Sequence, residues 1–173
     1  MPHTLTEQDL RFYQAAFAQA QQGSHEGGIP IGSILVYEGK ILGRGYNRRI
    51  QKGSAILHGE MDALENAGRL PAVVYQHCTL YTTLSPCAMC SGTALLYKIP
   101  RIVIGENQNF IGNEDALRSQ GVELIVLQDP ATIALMKQFI DNNPGIWNED
   151  IGETDEYGKE TDKSRQKREG VMG

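Results

Sequence analysis

Basic residues are too few in this chain to build a broad phosphate-binding surface: 16 Lys and Arg stand against 21 Asp and Glu in 173 residues, a formal net charge of −5. Nucleic-acid binders carry a basic footprint, so no nucleic-acid partner is expected and a small neutral substrate fits better. No apolar run is long enough to span a bilayer, and Met1–Gln22 lacks the basic start, apolar middle and small-residue cleavage site of a secretory signal. No membrane partner is therefore expected, and the cytoplasm is the expected location, with the nucleus left open. Cysteine is scarce too. Cys78, Cys87 and Cys90 make an odd count, two clustered and one apart, which is a poor disulfide framework. In a reducing compartment such a pair is more often a metal or redox device, while Cys78 reads as an ordinary buried thiol. What the chain does have is 40% hydrophobic residues, enough for the core of one domain.

Thr6 and Asp9 resemble a capping box, and Phe12, Tyr13, Ala16, Phe17 and Ala20 recur at helical spacing, which predicts an amphipathic helix that covers a sheet. After the turn-rich stretch Gly23–Pro30, Ser33–Tyr37 and Ile41–Tyr46 read as a β-hairpin around Glu38, Gly39 and Lys40. A helix is expected over Gly59–Ala67, stopped by Gly68, then a strand over Thr79–Thr83. Ser85–Pro86 reads as the start of a helix running to about Tyr97, with Ser85 as its cap. Ile102–Ile104 and Leu124–Leu127 complete the strands, and helical pieces are expected at Asp115–Arg118 and Ala131–Ile140. A hairpin followed by alternating strands and helices favours an α/β fold, a mixed sheet with helices on both faces. From Gly152 acids and bases mingle with few apolar residues, and disorder is expected from Thr154, giving a domain over 1–153 and a charged tail over 154–173. The stretch from Gly152 onward is nearly neutral, six acids against five bases, so removing it changes the net charge only from −5 to −4.

The chemistry-bearing residues are His58, Gly59 and Glu60 and, beginning 28 positions after the histidine, Pro86, Cys87, Ala88, Met89 and Cys90. One imidazole and two thiolates are good zinc ligands, and three protein ligands are what a catalytic zinc site offers while keeping a fourth position for water. Cysteines three apart at a helix start can turn toward one ion, and the amides there favour the thiolate. Glu60, two residues from His58, can sit beside the metal without ligating it, where a proton shuttle is needed. Each piece has a plainer reading: a lone histidine is more often structural, a lone helical glutamate is usually solvated, and a single CxxC pair can be a redox dithiol. The redox reading gives no role to His58 and Glu60. Together with a proline-preceded CxxC between a strand and a helix, HxE is the signature of the zinc nucleobase deaminases.

Longer stretches carry a resemblance: GGIPIG at Gly27–Gly32, LGRGYN at Leu42–Asn47, QKGSAILHGE at Gln51–Glu60, LENAGRL at Leu64–Leu70, TLYTTLSPCAMC at Thr79–Cys90, GEN at Gly105–Asn107, MKQFID at Met136–Asp141 and WNEDIGE at Trp147–Glu153. In these the chain resembles the fungal-type cytosine deaminases of the cytidine deaminase superfamily. The resemblance implies a homodimer of three-layer α/β/α protomers around a five-stranded mixed sheet, one zinc per protomer, and a role in pyrimidine salvage. It makes His58, Cys87 and Cys90 the zinc ligands and Glu60 the catalytic shuttle, with zinc-activated water adding to C4 of cytosine. It also assigns Asn47 and the Gly59 amide to the base O2, the Ser85 carbonyl to the exocyclic amine and the Asp150 carboxylate to the N1 proton. Phe110, Trp147, Ile151, Ile31 and Leu84 would wall the pocket.

An acceptor at N1 separates free base from nucleoside, since only the base has a proton there. Taken singly, Asp150 could be an exposed acid near the tail, Trp147 a core plug and Asn47 a strand cap. Tyr46 stands where that family tends to have histidine, and Ser33 and Met61 also depart from its pattern. The rival expectations are a tRNA adenosine or guanine deaminase of the same superfamily and, from another class, a non-catalytic structural zinc module.

Overall fold

The structure, a computed structural model, describes residues 4–153. From the N-terminal side come α1 (Glu7–His25), β1 (Gly32–Tyr37), β2 (Lys40–Tyr46), α2 (Arg49–Lys52), α3 (Gly59–Ala67), α4 (Ala72–Tyr75) and β3 (Cys78–Leu84). They are followed by α5 (Ala88–Leu96), β4 (Arg101–Glu106), α6 (Glu114–Ser119), β5 (Glu123–Val126), α7 (Pro130–Asn142) and α8 (Pro144–Asp150). One compact unit ends at Met136 and holds the sheet with α1 to α6; a second begins at Lys137 and holds the end of α7 and all of α8. The charged tail expected to be disordered lies outside the described residues.

The sheet has the order β2-β1-β3-β4-β5. β1 runs antiparallel to both β2 and β3, while β3, β4 and β5 are mutually parallel, so the sheet is mixed as predicted. The hairpin closes through Glu38 (φ 45°) and Gly39 (φ 75°), the two positive-φ positions that match the twist of the flanking strands. The parallel half needs crossovers, and α5 and α6 supply them.

Strand alternation divides the core between the two faces. Ile34, Val36, Tyr81 and Val103 pack with Tyr13 and Ala16 of α1. Leu35, Leu80, Ile102 and Ile104 pack with Ala94 of α5 and Leu117 of α6, joined by Leu64 and Ala67 of α3. Helices on both faces of one sheet make the three-layer α/β/α arrangement. Next to β2 the approach is very close: a β-carbon on Gly43 would strike the Ala63 carbonyl, and one on Gly45 would strike the Ala63 amide. Glycine at these two positions lets α3 ride directly on the strand backbone.

The capping box of α1 forms as expected, with Asp9 N–H donating to Thr6 Oγ1 at 3.1 Å and Thr6 N–H donating to Asp9 Oδ2 at 2.8 Å. The helix predicted over Gly59–Ala67 has those bounds, and Gly68 ends it with φ 81°. The expected cap at Ser85 is not formed. The helix begins at Ala88 with Cys87 as its N-cap residue, because the Ser85 hydroxyl is engaged elsewhere: it donates to Glu114 Oε1 at 2.7 Å and accepts from Gly112 N–H at 2.9 Å. The short helices α2, α4 and α8 were not expected from the sequence. Among the described residues, no helix is long and apolar enough to cross a membrane.

Candidate active site

Two helix N-termini meet at the site. His58 is the N-cap residue of α3, Cys87 that of α5, and Cys90 lies in the first turn of α5. The Cys87 and Cys90 sulfurs stand 3.5 Å and 3.8 Å from His58 Nδ1, and all three donor atoms fall within 4.8 Å of one another. Zinc bonds of about 2.3 Å to sulfur and about 2.0 Å to nitrogen at tetrahedral angles place such donors about 3.6 Å apart. The donor set therefore fits zinc in both chemistry and spacing. The Cys87 thiol is drawn down to about 4, first by the hydrogen bond from Cys90, then against burial by the His58 ring and the Cys90 backbone amide. Cys90 is held high by that same bond to Cys87 and by burial. Metal ligation by cysteine uses the thiolate, so a bound cation would favour loss of the thiol protons.

Glu60 sits in the first turn of α3 and is 5% exposed. Its Oε1 accepts from Thr82 Oγ1 at 3.1 Å, and Thr82 in turn accepts from Ser33 Oγ at 2.9 Å. Its Oε2 lies 3.4 Å from Cys90 Sγ. Burial raises the carboxyl above the ordinary range. A carboxyl with raised proton affinity, held by strand hydroxyls beside the donor triad, suits proton transfer better than ligation.

The residues expected to bind substrate fall in both units. Asn47 is fully buried just past β2; its backbone N–H donates to Ile31 carbonyl at 2.8 Å, and its Oδ1 accepts from Arg49 N–H at 3.1 Å. Gly59 opens α3, where a β-carbon would come within 3.0 Å of the Ile31 carbonyl. Its amide belongs to the first helical turn, which has no acceptor within the helix. Ser85 follows β3 and is buried, as are Ile31 and Leu84, and Phe110 is partly buried in the loop before α6. In the second unit Trp147 and Asp150 are buried in α8 and Ile151 caps it, with Ile151 N–H donating to the Trp147 carbonyl at 3.2 Å.

Residues 6–106 match the family model for the cytidine and deoxycytidylate deaminase zinc-binding region. The chain belongs to this deaminase family. It is a zinc-dependent hydrolase, and His58, Cys87 and Cys90 are its group placed to hold the ion. The deaminase is 56% identical over 150 residues to a cytosine deaminase of Candida albicans, covering 86% of this chain and all of that protein. It is 37% identical over 123 residues to a tRNA-specific adenosine deaminase of Streptococcus pyogenes, covering 68% of this chain and 74% of the relative. In fold it resembles a solved guanine deaminase from Nitrosomonas europaea, with a TM-score of 0.61 at 19% identity over 80% of this chain and 87% of the other.

Several residues that shape the deaminase's site have no local signature. Glu106 is fully buried at the end of β4 and accepts from Gln108 N–H at 2.7 Å, Asn109 N–H at 2.9 Å and Asn109 Nδ2 at 2.8 Å, which folds the loop leading to Phe110. Glu114 ties that loop to Ser85 through the bonds described above and accepts from Asn107 Nδ2 at 3.2 Å. Thr82 looked like one more β-branched strand residue, and its hydroxyl on Glu60 becomes visible only when β3 and α3 are placed together. The one available signal was an acid closing an apolar run, Glu106 after Ile102–Gly105, since a carboxylate there has to find donors.

Proposed function

We propose that this deaminase hydrolyses the free base cytosine to uracil and ammonia, in pyrimidine salvage. The observation that carries the reading is the convergence of one imidazole and two sulfurs at zinc-ligand spacing with the Glu60 carboxyl beside them. The choice of cytosine is supported by the 56% identity to a protein of that activity along its whole length. Bound zinc supplies a Lewis acid that makes a water molecule acidic near neutral pH. Glu60 accepts the proton that water loses on adding to C4 and delivers it to N3. It then carries the remaining hydroxyl proton to the amino group, which leaves as ammonia. The Gly59 amide and the donor end of the Asn47 carboxamide hydrogen-bond to O2, and the Ser85 carbonyl accepts from the exocyclic amine. Asp150 accepts the N1 proton, which a nucleoside lacks, while Phe110, Trp147, Ile151, Ile31 and Leu84 exclude water from the base.

The same reading has the chain act as a cytoplasmic or nuclear homodimer, with residues 1–153 as the deaminase domain. Leu96 and Ile111, 72% and 68% exposed, are apolar surface that a second copy could cover. A tRNA adenosine deaminase is the second reading, favoured by the 37% identity to such an enzyme. Cytosine absorbance loss with uracil formation, run beside guanine and tRNA and repeated with a chelator, tests the choice. Cytosine turnover that the chelator abolishes supports the proposal; turnover confined to tRNA overturns it. Asp150→Ala is expected to lower kcat/KM for cytosine by about 100-fold, the size expected when the N1–H donor of the bound base loses a carboxylate acceptor, with zinc content unchanged.

A further inference from the structure

We infer that Asp62 and Arg48 are positioning residues for substrate, locking the chain segment that carries Asn47 onto the helix that carries His58 and Glu60. The inference rests on the proposed contact of Asn47 with the base. Asp62 lies on α3 with its side chain 1% exposed, and its two oxygens serve the two residues that flank Asn47. Oδ2 accepts from Tyr46 N–H at 3.1 Å; Oδ1 accepts from Arg48 Nε at 3.1 Å and Arg48 Nη2 at 2.5 Å. The Arg48 guanidinium also lies over the Tyr46 ring, 5.5 Å from its centroid. The tie runs through the backbone as well. Arg48 N–H donates to the carbonyl of Leu57, the residue before His58, at 3.0 Å, and Asp62 N–H donates to the His58 carbonyl at 2.9 Å.

Packing of α3 on β2 does not need this pair. Gly43 and Gly45 already admit the helix backbone, and Leu42, Leu64 and Ala67 supply apolar contact. What the pair adds is direction: a forked, charge-assisted bond fixes geometry more tightly than dispersion does. Asn47 sits between two residues bonded to one rigid carboxylate, and that carboxylate shares a helical turn with the proton shuttle. The distance between the base-binding carboxamide and Glu60 is thereby set, and with it the fit of the base to the site.

The test uses the zinc-loaded full chain with Arg48→Met, Asp62→Asn, Arg48→Lys, Asn47→Ala and the double variant Asn47→Ala/Arg48→Met, measuring zinc content, melting and steady-state cytosine kinetics. Arg48→Met and Asp62→Asn should retain zinc and cooperative melting while KM rises by about tenfold and kcat changes by less than about twofold, the loss of one oriented hydrogen bond. Arg48→Lys, which keeps the charge without the fork, should recover part of the KM. The double variant should be no worse in KM than Asn47→Ala, because Arg48 acts through Asn47. A multiplied loss in the double variant, or loss of zinc and of cooperative melting in both Arg48→Met and Asp62→Asn, would overturn the inference as a general structural effect. If Asn47→Ala raises KM and neither Arg48→Met nor Asp62→Asn does, the positioning role fails while the reading of Asn47 stands. An unchanged KM in Asn47→Ala overturns both together.

Discussion

Glu60 and Cys87 are neighbours in the site with opposite titration tendencies, and each follows from its surroundings. Burial raises the Glu60 carboxyl, which favours a group that must take up and release a proton. Cys87 at the N-terminus of α5 is held as thiolate down to about 4 by Cys90, His58 and the Cys90 amide, which favours a ligand. Glu60→Ala is therefore expected to keep its zinc while kcat falls by about 10³-fold or more, and Cys87→Ala to lose both. Metal analysis beside steady-state kinetics checks this, and retained turnover in Glu60→Ala would sink the mechanism. Thr82 orients the same carboxyl from β3. Thr82→Val keeps the shape of the side chain and removes the hydroxyl, so zinc content should hold while kcat drops about tenfold, the worth of one hydrogen bond to a charged group.

At the level of elements, the metal site depends on where α3 and α5 begin, and α1 depends on an acid that does two jobs. Asp9 closes the capping box and also accepts from Tyr81 Oη on β3 at 2.7 Å and from Arg101 Nη1 on β4 at 2.6 Å. Burial by itself would raise its carboxyl, but Arg101, the Thr6 amide and the two hydroxyls together hold it well below the ordinary range. A carboxyl lowered in the folded state stabilises above its unfolded pKa of about 3.9, and that stability is lost as pH falls toward the folded value. Asp9→Asn should thus cost about 2 kcal/mol at pH 7, with the gap from the wild type shrinking below about pH 4. Urea midpoints at pH 7 and pH 3 measure it; an equal gap at both would remove the charge from the explanation. The Thr6–Asp9 box was readable because its partners are three residues apart. The same acid's hold on Tyr81 and Arg101, 72 and 92 residues away, was not.

Across the whole molecule, zinc joins segments that are distant in the chain, since His58 and Cys87 are 29 residues apart. An ion held only by the folded arrangement stabilises by mass action, about 4 kcal/mol at a thousandfold excess over its dissociation constant. Chelation should accordingly lower the melting temperature by roughly 10 °C, with zinc restoring it and magnesium not. Calorimetry with and without chelator checks this, and an unchanged transition would mean the donors hold no structural share of the ion. The sequence by itself determined that His58, Cys87 and Cys90 form one group able to hold an ion, with Glu60 beside it, and most strand and helix bounds, because helix starts, HxE and CxxC are local patterns in which spacing decides what one ion can reach. The short helices α2 and α4, four residues each, left no periodic trace to read. Only the tertiary structure decided that Ser85 braces a loop through Glu114 instead of capping a helix, that Thr82, bonded by Ser33, holds Glu60, and that Asp62 clasps both neighbours of Asn47. Those roles depend on partners that only folding brings within hydrogen-bond range.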